Sequence, residues 1–561
     1  MLSASDDARS LTSAAASSAA PLFFFFFFLA CTALALLNAY PGNVHFNTSE
    51  IYMWSTLGFE LIYSRHPPLL PWIVGSLNHL IPVNYFVLAA LAAFNVTVAA
   101  FAVWRIACLT VGEARAALVV AIYWLSPYTV WFAVKLDHNA ILLSTWPLVV
   151  WAFLLSLRDP KWWRGLILGL ASAAAIYAKY TSALLLVAIA VAAISSHRRG
   201  TYFRAPAPYL AIATLVLLVT PLAWAVYQDR LSTVHVALNQ AVPIGVLPIH
   251  MLAINLLRLL PVLAGFALLY YWIGPGQEGE GTQYQQELLI LIFLPYALIL
   301  AATVALGLRG SQAWPMPVFA LVPLLLVSLL RAPNATQLRV LYRASPYVFC
   351  LIPLVGVLML ATSFRQANHN IVEPTQELAR EAASIWDRAI HRPVGIVAGD
   401  GPIDMSASLA LADHPRAWPF QNDWWITPQL VEKNGVLAFC READTHCNAI
   451  SGKMVRERNG WTCQIEDRRS LWGMTGPILK VRVYFVPPKT VEAVQTCTPG
   501  SGMDDAQCHA LWTALSPDGA TISEDKAVPH VVDFNMVDTD NDGTIDAREF
   551  KAGCNGGWVK G

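Results

Sequence analysis

Two stretches of this chain carry side chains suited to chemistry. The first runs from His45 to Trp72, HFNTSEIYMWSTLGFELIYSRHPPLLPW, where Asn47, Glu50, Glu60, Arg65 and His66 stand among aromatics and two adjacent prolines. A carboxylate there can take a proton, and the neighbouring polar groups can hold a ligand. The same aromatics also suit an interfacial belt, which needs no chemistry. The second stretch is DTDNDGTIDARE, residues 538–549. Asp538, Asp540, Asp542, Thr544, Asp546 and Glu549 fall at every ligand position of a twelve-residue EF-hand loop, with Gly543 at its sharp turn and Ile545 at its apolar position. Hard oxygen donors so spaced predict a Ca2+ ion in a structural role; the alternative is a solvated acidic turn. Upstream, LWTALSPDGATIS at 511–523 looks like a worn second loop and is assigned no metal.

Three further places are candidates. In LDHN at 136–139, Asp137, His138 and Asn139 lie at the end of an apolar run, although an Asp there is often only a helix cap. Lys179-Tyr180 separates two short apolar runs, where a lysine can bind phosphate or snorkel to the interface. Arg258 interrupts MLAINLLRLLPVLAG, and an arginine inside an apolar segment usually faces a ligand path or an ion pair. Its guanidinium can grip a phosphate bidentately.

These residues sit in a membrane protein. Hydrophobic residues make up 56% of the 561, charged residues 13%, and the mean hydropathy is +0.49. Cations and acids balance at 37 each, which leaves no case for a nucleic-acid partner. PLFFFFFFLACTALALLNAY reads as an uncleaved first helix, because Asp6 and Asp7 make a poor signal-peptide n-region; a removed signal is the alternative. Apolar segments then recur at about 86–104, 116–134, 139–157, 165–178, 181–195, 208–227, 250–273, 287–307, 315–331 and 345–363, so about eleven transmembrane helices are expected. With the N-terminus inside, the inner loops hold Arg105, Arg115, Arg158, Lys161, Arg164, Arg198, Arg199, Arg204, Arg331, Arg339 and Arg343. The outer loops hold only Arg65, Lys135, Lys179, Arg230 and Arg309, which satisfies the positive-inside rule. The first loop, 39–85, and the C-terminus are then outside.

The expected organisation is a cytoplasmic tail at 1–21, a transmembrane domain at 22–363, an outer α/β domain at 364–488 and a cysteine-containing tail at 489–561. EPTQELAREAASIWDRAIHR has helical spacing, and VGIVAG, VLAFC and VRVYFVPP read as strands between helices. Cys440, Cys447, Cys463, Cys497, Cys508 and Cys554 all lie in this outer region. They suggest disulfides, with about 15 possible pairings.

Glu50, Trp54, the run Tyr63 to Leu69 with His66-Pro67-Pro68, and Trp72 together resemble the first outer loop of glycosyltransferase family 39-like proteins. These GT-C enzymes use polyprenyl-phosphate sugars and are related to protein O-mannosyltransferases and to aminoarabinose transferases. LDHNAILLSTWPLVVWAF, GLILGLASAAAIYAKYTSALLL and PLAWAVYQD look like later family segments in the same order. The resemblance implies a GT-C fold and an inverting transfer from a polyprenyl-phosphate-linked donor. The acceptor is a lipid, glycan or protein at the periplasmic face of a bacterial inner membrane. For such a transfer Glu50 is the expected base, Asp137 the second catalytic residue that orients it or binds sugar hydroxyls, and Asn47, Arg65, His66, His138, Asn139, Lys179, Tyr180 and Arg258 the expected substrate contacts. No cofactor for the transfer is readable beyond the structural Ca2+. One departure stands out: the family usually has an Asp three residues before the Glu or directly beside it, and here those positions are Asn47 and Ser49. Two rival readings are a transporter or flippase and an inactive calcium-binding relative.

Overall fold

The computed structural model describes residues 2–40, 43–63, 66–229, 247–276, 284–305, 314–364, 373–420, 425–471, 474–497 and 503–560. The chain divides into two compact units. The first comprises residues 1–37, 58–79 and 88–356, and the second 38–57, 80–87 and 357–561. The first loop is thus shared between them.

Every apolar segment becomes helical, but not every one becomes a full-length span. Among the described residues six helices are long and apolar enough to cross a membrane: Pro21–Ala39, Tyr85–Thr110, Ala207–Gln228, Ala253–Ile273, Gln285–Ala305 and Ala335–Ser363. The segment expected at 116–134 is a pair, Glu113–Tyr123 and Pro127–Ala133, bent by 69°. Pro127 opens the second helix, and its missing N–H and fixed φ suit a helix start rather than a helix interior. Leu142–Arg158, Ser182–Ser195 and Met316–Ser328 are shorter apolar helices. Small residues bring helices together in the first unit. A Cβ on Gly165 would lie 2.2 Å from the Ala207 carbonyl oxygen, and one on Gly169 2.6 Å from Thr214 Cβ. The helix Trp162–Ala178 therefore packs directly on Ala207–Gln228.

The first loop forms two helices, Phe46–Ser55 and Leu69–Asn78. Between them Tyr63 and His66 exchange backbone hydrogen bonds at 3.1 and 3.0 Å.

The second unit contains a five-stranded sheet of β1 (Ile396–Gly399), β2 (Arg416–Pro419), β3 (Val436–Arg441), β4 (Trp461–Leu471) and β5 (Met474–Val486). Its order is β2-β1-β3-β5-β4, parallel around β1 and antiparallel from β3 to β4. Sequence patterning finds β1, β3 and β5 but misses β2, which is only four residues long, and β4, whose Glu466 and Asp467 look like surface charge. Both acids are buried and ion-paired, Glu466 to Lys480 at 3.0 Å and Asp467 to Lys560 at 3.8 Å. The core under the sheet gathers Leu378, Ile385 and Trp386 of the helix Thr375–Ile390 against Val397, Phe439 and Phe485. Each such buried side chain contributes roughly 1.5–3 kcal/mol of apolar burial.

The tail forms a second small core around Phe534, Ile545 and Phe550. In it β6 (Ile522–Ser523) pairs antiparallel with β7 (Thr544–Ile545), Ile522 opposite Ile545. The six cysteines of this unit pair as Cys440–Cys447, Cys463–Cys497 and Cys508–Cys554.

Candidate functional site

In the first unit the HPP turn meets the LDHN loop. The imidazoles of His66 and His138 stack with centroids 4.3 Å apart and planes inclined by 14°. His138 Nδ1 is 3.4 Å from the Ala178 carbonyl oxygen, at the end of the glycine-containing helix. One residue on, that helix stops at Lys179, whose ammonium donates to the side-chain oxygen of Asn139. Four expected residues, His66, His138, Asn139 and Lys179, thus share one locality. Tyr180 follows in the same turn before Ser182–Ser195 begins.

Asp137 is almost fully buried. Its Oδ1 accepts the N–H groups of Asn139 and Ala140, each at 2.8 Å, and its Oδ2 pairs with Lys135 Nζ at 3.0 Å. Both oxygens therefore brace the loop, in keeping with the capping alternative. Arg65 lies outside the described residues.

Arg258 forms a separate cluster. It lies in the span Ala253–Ile273, with its guanidinium 5.2 Å from the Tyr128 ring centroid and Nη1 3.5 Å from the Tyr128 hydroxyl. That hydroxyl donates to the side-chain oxygen of Asn255. Phe319 lies 5.9 Å from the Tyr128 ring and parallel to it, and 5.5 Å from the Tyr296 ring. A guanidinium against an aromatic face, with amide and phenol oxygens beside it, is an arrangement that can hold an anionic group. Sequence reasoning missed Tyr128 and Asn255. Asn255, three residues before Arg258 and so on the same helical face, was a usable signal; Tyr128 left none.

Asn47 and Glu50 belong to the second unit. Both are half-buried on Phe46–Ser55, whose N-terminus is capped by His45 Nδ1 accepting from the Asn47 N–H. The sheet offers its own polar cluster at the carboxyl ends of β1 and β3. There Arg441 binds both oxygens of Glu373 at 2.8 and 2.9 Å and lies 3.2 Å from Asp400. Burial pushes the Asp404 carboxyl well above the usual range, with nearby Asp400 adding to the rise.

In the tail, Asp538, Asp540 and Asp542 bring one oxygen each to within 4.8 Å of one another. Glu549 closes over the loop: its Oε1 accepts from the Thr539 and Asp540 N–H groups and its Oε2 from Asp546 N–H. Asp546 caps the helix Ala547–Gly556, and Thr544 donates to Asp542. Three converging carboxylates with a glutamate at the loop's end are a hard-oxygen donor set of the kind calcium takes.

Residues 65–224 match the family model described as dolichyl-phosphate-mannose-protein mannosyltransferase, a GT-C family. The matched region spans the HPP turn, the LDHN loop and Lys179. The fold is similar to crystal structures of ArnT from Cupriavidus metallidurans. For the form bound to undecaprenyl phosphate, 83% of this chain and 97% of that chain align at a TM-score of 0.51 and 12% identity. For the apo form the figures are 84%, 98%, 0.53 and 13%. This chain has the fold of those ArnT structures. No curated protein matches the sequence significantly. The fold agrees with the resemblance read from the first loop, and with it the chain is a multi-pass membrane protein.

Proposed function

We propose that this protein is a membrane glycosyltransferase that moves a sugar from a polyprenyl-phosphate donor to a hydroxyl- or amine-bearing acceptor. The acceptor is a lipid, polysaccharide or protein at the periplasmic face of a bacterial inner membrane. The observation that carries this reading is the aligned GT-C architecture with the HPP turn stacked on the LDHN loop inside the matched family region.

The chemistry needs few parts. Glu50 takes the acceptor proton as the acceptor's oxygen or nitrogen attacks the anomeric carbon. The bond from that carbon to the phosphate oxygen breaks, and its electron pair leaves with the polyprenyl phosphate. A single displacement inverts the anomeric centre. Arg258, steadied by Tyr128, neutralises the donor phosphate, and charge stabilisation of this kind usually supplies the largest part of such a rate enhancement. Lys179, Asn139 and His138 bind sugar or phosphate oxygens, while Asp137 holds their loop. Asn47, Arg65, His66 and Tyr180 complete the substrate contacts.

The eleven-crossing topology belongs to the same proposal, with the bent pair and the shorter helices completing the bundle. So do the boundaries: 22–363 for the transmembrane domain, 364–488 for the α/β domain and 489–561 for the tail. The tail is proposed as a paired EF-hand lobe holding one Ca2+ through Asp538, Asp540, Asp542, Thr544, Asp546 and Glu549, which lends it rigidity. A second reading, a catalytically silent GT-C protein, is favoured by one observation, Asn47 and Ser49 at the positions where the family usually has an Asp.

The test is transfer from undecaprenyl phosphate carrying radiolabelled mannose to a membrane extract by the purified full-length protein. Product that disappears in Glu50→Gln supports the assignment. Turnover that survives Glu50→Gln removes the base, and no turnover with mannose or other polyprenyl-linked sugars favours the silent reading.

A further inference from the structure

Ser49, one of the two positions that depart from the family pattern, also fastens the proposed base to the α/β domain. Residues 38–57 belong to the second unit, and the helix Phe46–Ser55 packs against the helix Pro402–Ala410. Ser49 is fully buried, and its Oγ is 3.3 Å from the Ser406 Oγ. Two further contacts on either side hold the segment: Asn43 Nδ2 donates to Thr375 Oγ1 at 3.4 Å, and the buried Tyr52 ring lies 5.9 Å from His414. Thr48, Ser49, Ile51, Tyr52, Met53 and Trp54 are all buried, so the helix cannot turn about its axis without exposing one of them. Glu50, about 100° round the helix from Ser49, is left half-exposed.

The partner helix is itself fixed by the sheet. β1 ends at Gly399, where a Cβ would sit 2.5 Å from the Phe439 carbonyl oxygen of β3, so only glycine lets the strands approach. Gly401 has φ of +102°, a conformation that disfavours other residues, and its N–H donates to Asp404 Oδ1 at 2.7 Å. Ser408, on the same helix, donates to the Pro415 carbonyl.

We propose that Ser406 is a positioning residue for the transfer reaction: through Ser49 it sets the direction of Glu50, and the α/β domain is the mount that holds the base. This rests on the transferase reading above. It also accounts for the serine at position 49, since an aspartate there would bury a charge against a serine hydroxyl.

The test uses the full-length protein in detergent. The double variant Ser49→Cys with Ser406→Cys is expected to form a disulfide, detected as a linked peptide by mass spectrometry, and to retain measurable turnover. Ser406→Val is expected to lower kcat about tenfold or more, as small misplacements of a catalytic group do. The donor KM should stay within about twofold, and the melting temperature within about 3 °C. Ser406→Thr, which keeps the hydroxyl, should restore kcat. Ser49→Asp should lose stability and gain no rate. No cross-link, a cross-linked enzyme without turnover, or wild-type kcat in Ser406→Val overturns the proposal. Absence of turnover in the wild type overturns the transferase reading and the catalytic half of the proposal with it, while the cross-link still decides whether the mount exists.

Discussion

The ring of His66 lies parallel to that of His138, 4.3 Å away, although 72 positions separate them in the chain (138 − 66 = 72). The stack joins a turn braced by Tyr63 to a loop braced by Asp137. Because each ring's role depends on the other, His66→Ala and His138→Ala are expected to be non-additive. The double variant should lose no more transfer activity than the worse single variant, with a coupling of about 0.5–1.5 kcal/mol. Additive losses in a double-mutant cycle on kcat/KM would show that the stack is incidental.

Arg258 and Tyr128 give a test of donor binding. Replacing Arg258 with Lys keeps the charge but removes the planar fork, so the KM for the polyprenyl-phosphate donor should rise by about tenfold or more. Tyr128→Phe keeps the aromatic face and loses only the hydroxyl, so a smaller rise is expected. Titrating undecaprenyl phosphate against the purified variants separates binding from turnover; equal affinity in Arg258→Lys and the wild type would place the phosphate elsewhere.

The tail makes a stoichiometric prediction. In the register set by Ile522 opposite Ile545, Lys526 stands where Glu549 stands in the other loop, and an ammonium cannot ligate a cation. Calorimetry should therefore count one Ca2+ per chain. At about 100 times its Kd, calcium should stabilise the folded tail by about 2.7 kcal/mol. The gain should be absent in Asp538→Ala with Glu549→Gln. Two bound ions, or an equal shift in the variant, would contradict the assignment.

A pH dependence follows from Glu381. Burial raises its carboxyl to about 7 against the pull of Lys560, whose Nζ is 2.8 Å away. A carboxyl whose folded value exceeds its unfolded one binds its proton more tightly in the native state. The native state therefore gains stability as pH falls from about 7 towards the unfolded value near 4.5, and loses it as pH rises through that window. Glu373, Asp400 and Asp404 are raised by burial too and act in the same direction. The melting temperature should climb between pH 7.5 and pH 5.5, a window of roughly that kind of titration, and Glu381→Gln should flatten the climb. A profile that falls over the same range, or one unchanged by the substitution, would show that this buried pair does not control the domain's acid response.

The amino-acid sequence determined what depends on neighbours along the chain. Every apolar segment became helical, some as two helices, because run length and composition are local properties, and β1, β3 and β5 were legible from their apolar runs. The carboxylate spacing at 538–549 was equally plain, since it is written in consecutive residues. The resemblance in the first loop pointed to the fold that the comparisons bear out. The tertiary structure alone decided what depends on distant partners: which cysteines pair, that the acids of β4 are buried because Lys480 and Lys560 reach them, that Tyr128 joins Arg258, and that Ser49 meets Ser406 across 357 positions. Such pairings are chosen by packing and by the pairing of buried polar groups, and neither leaves a local pattern to read. Glu50 was visible as an acid in a promising loop; the helix that carries it was not.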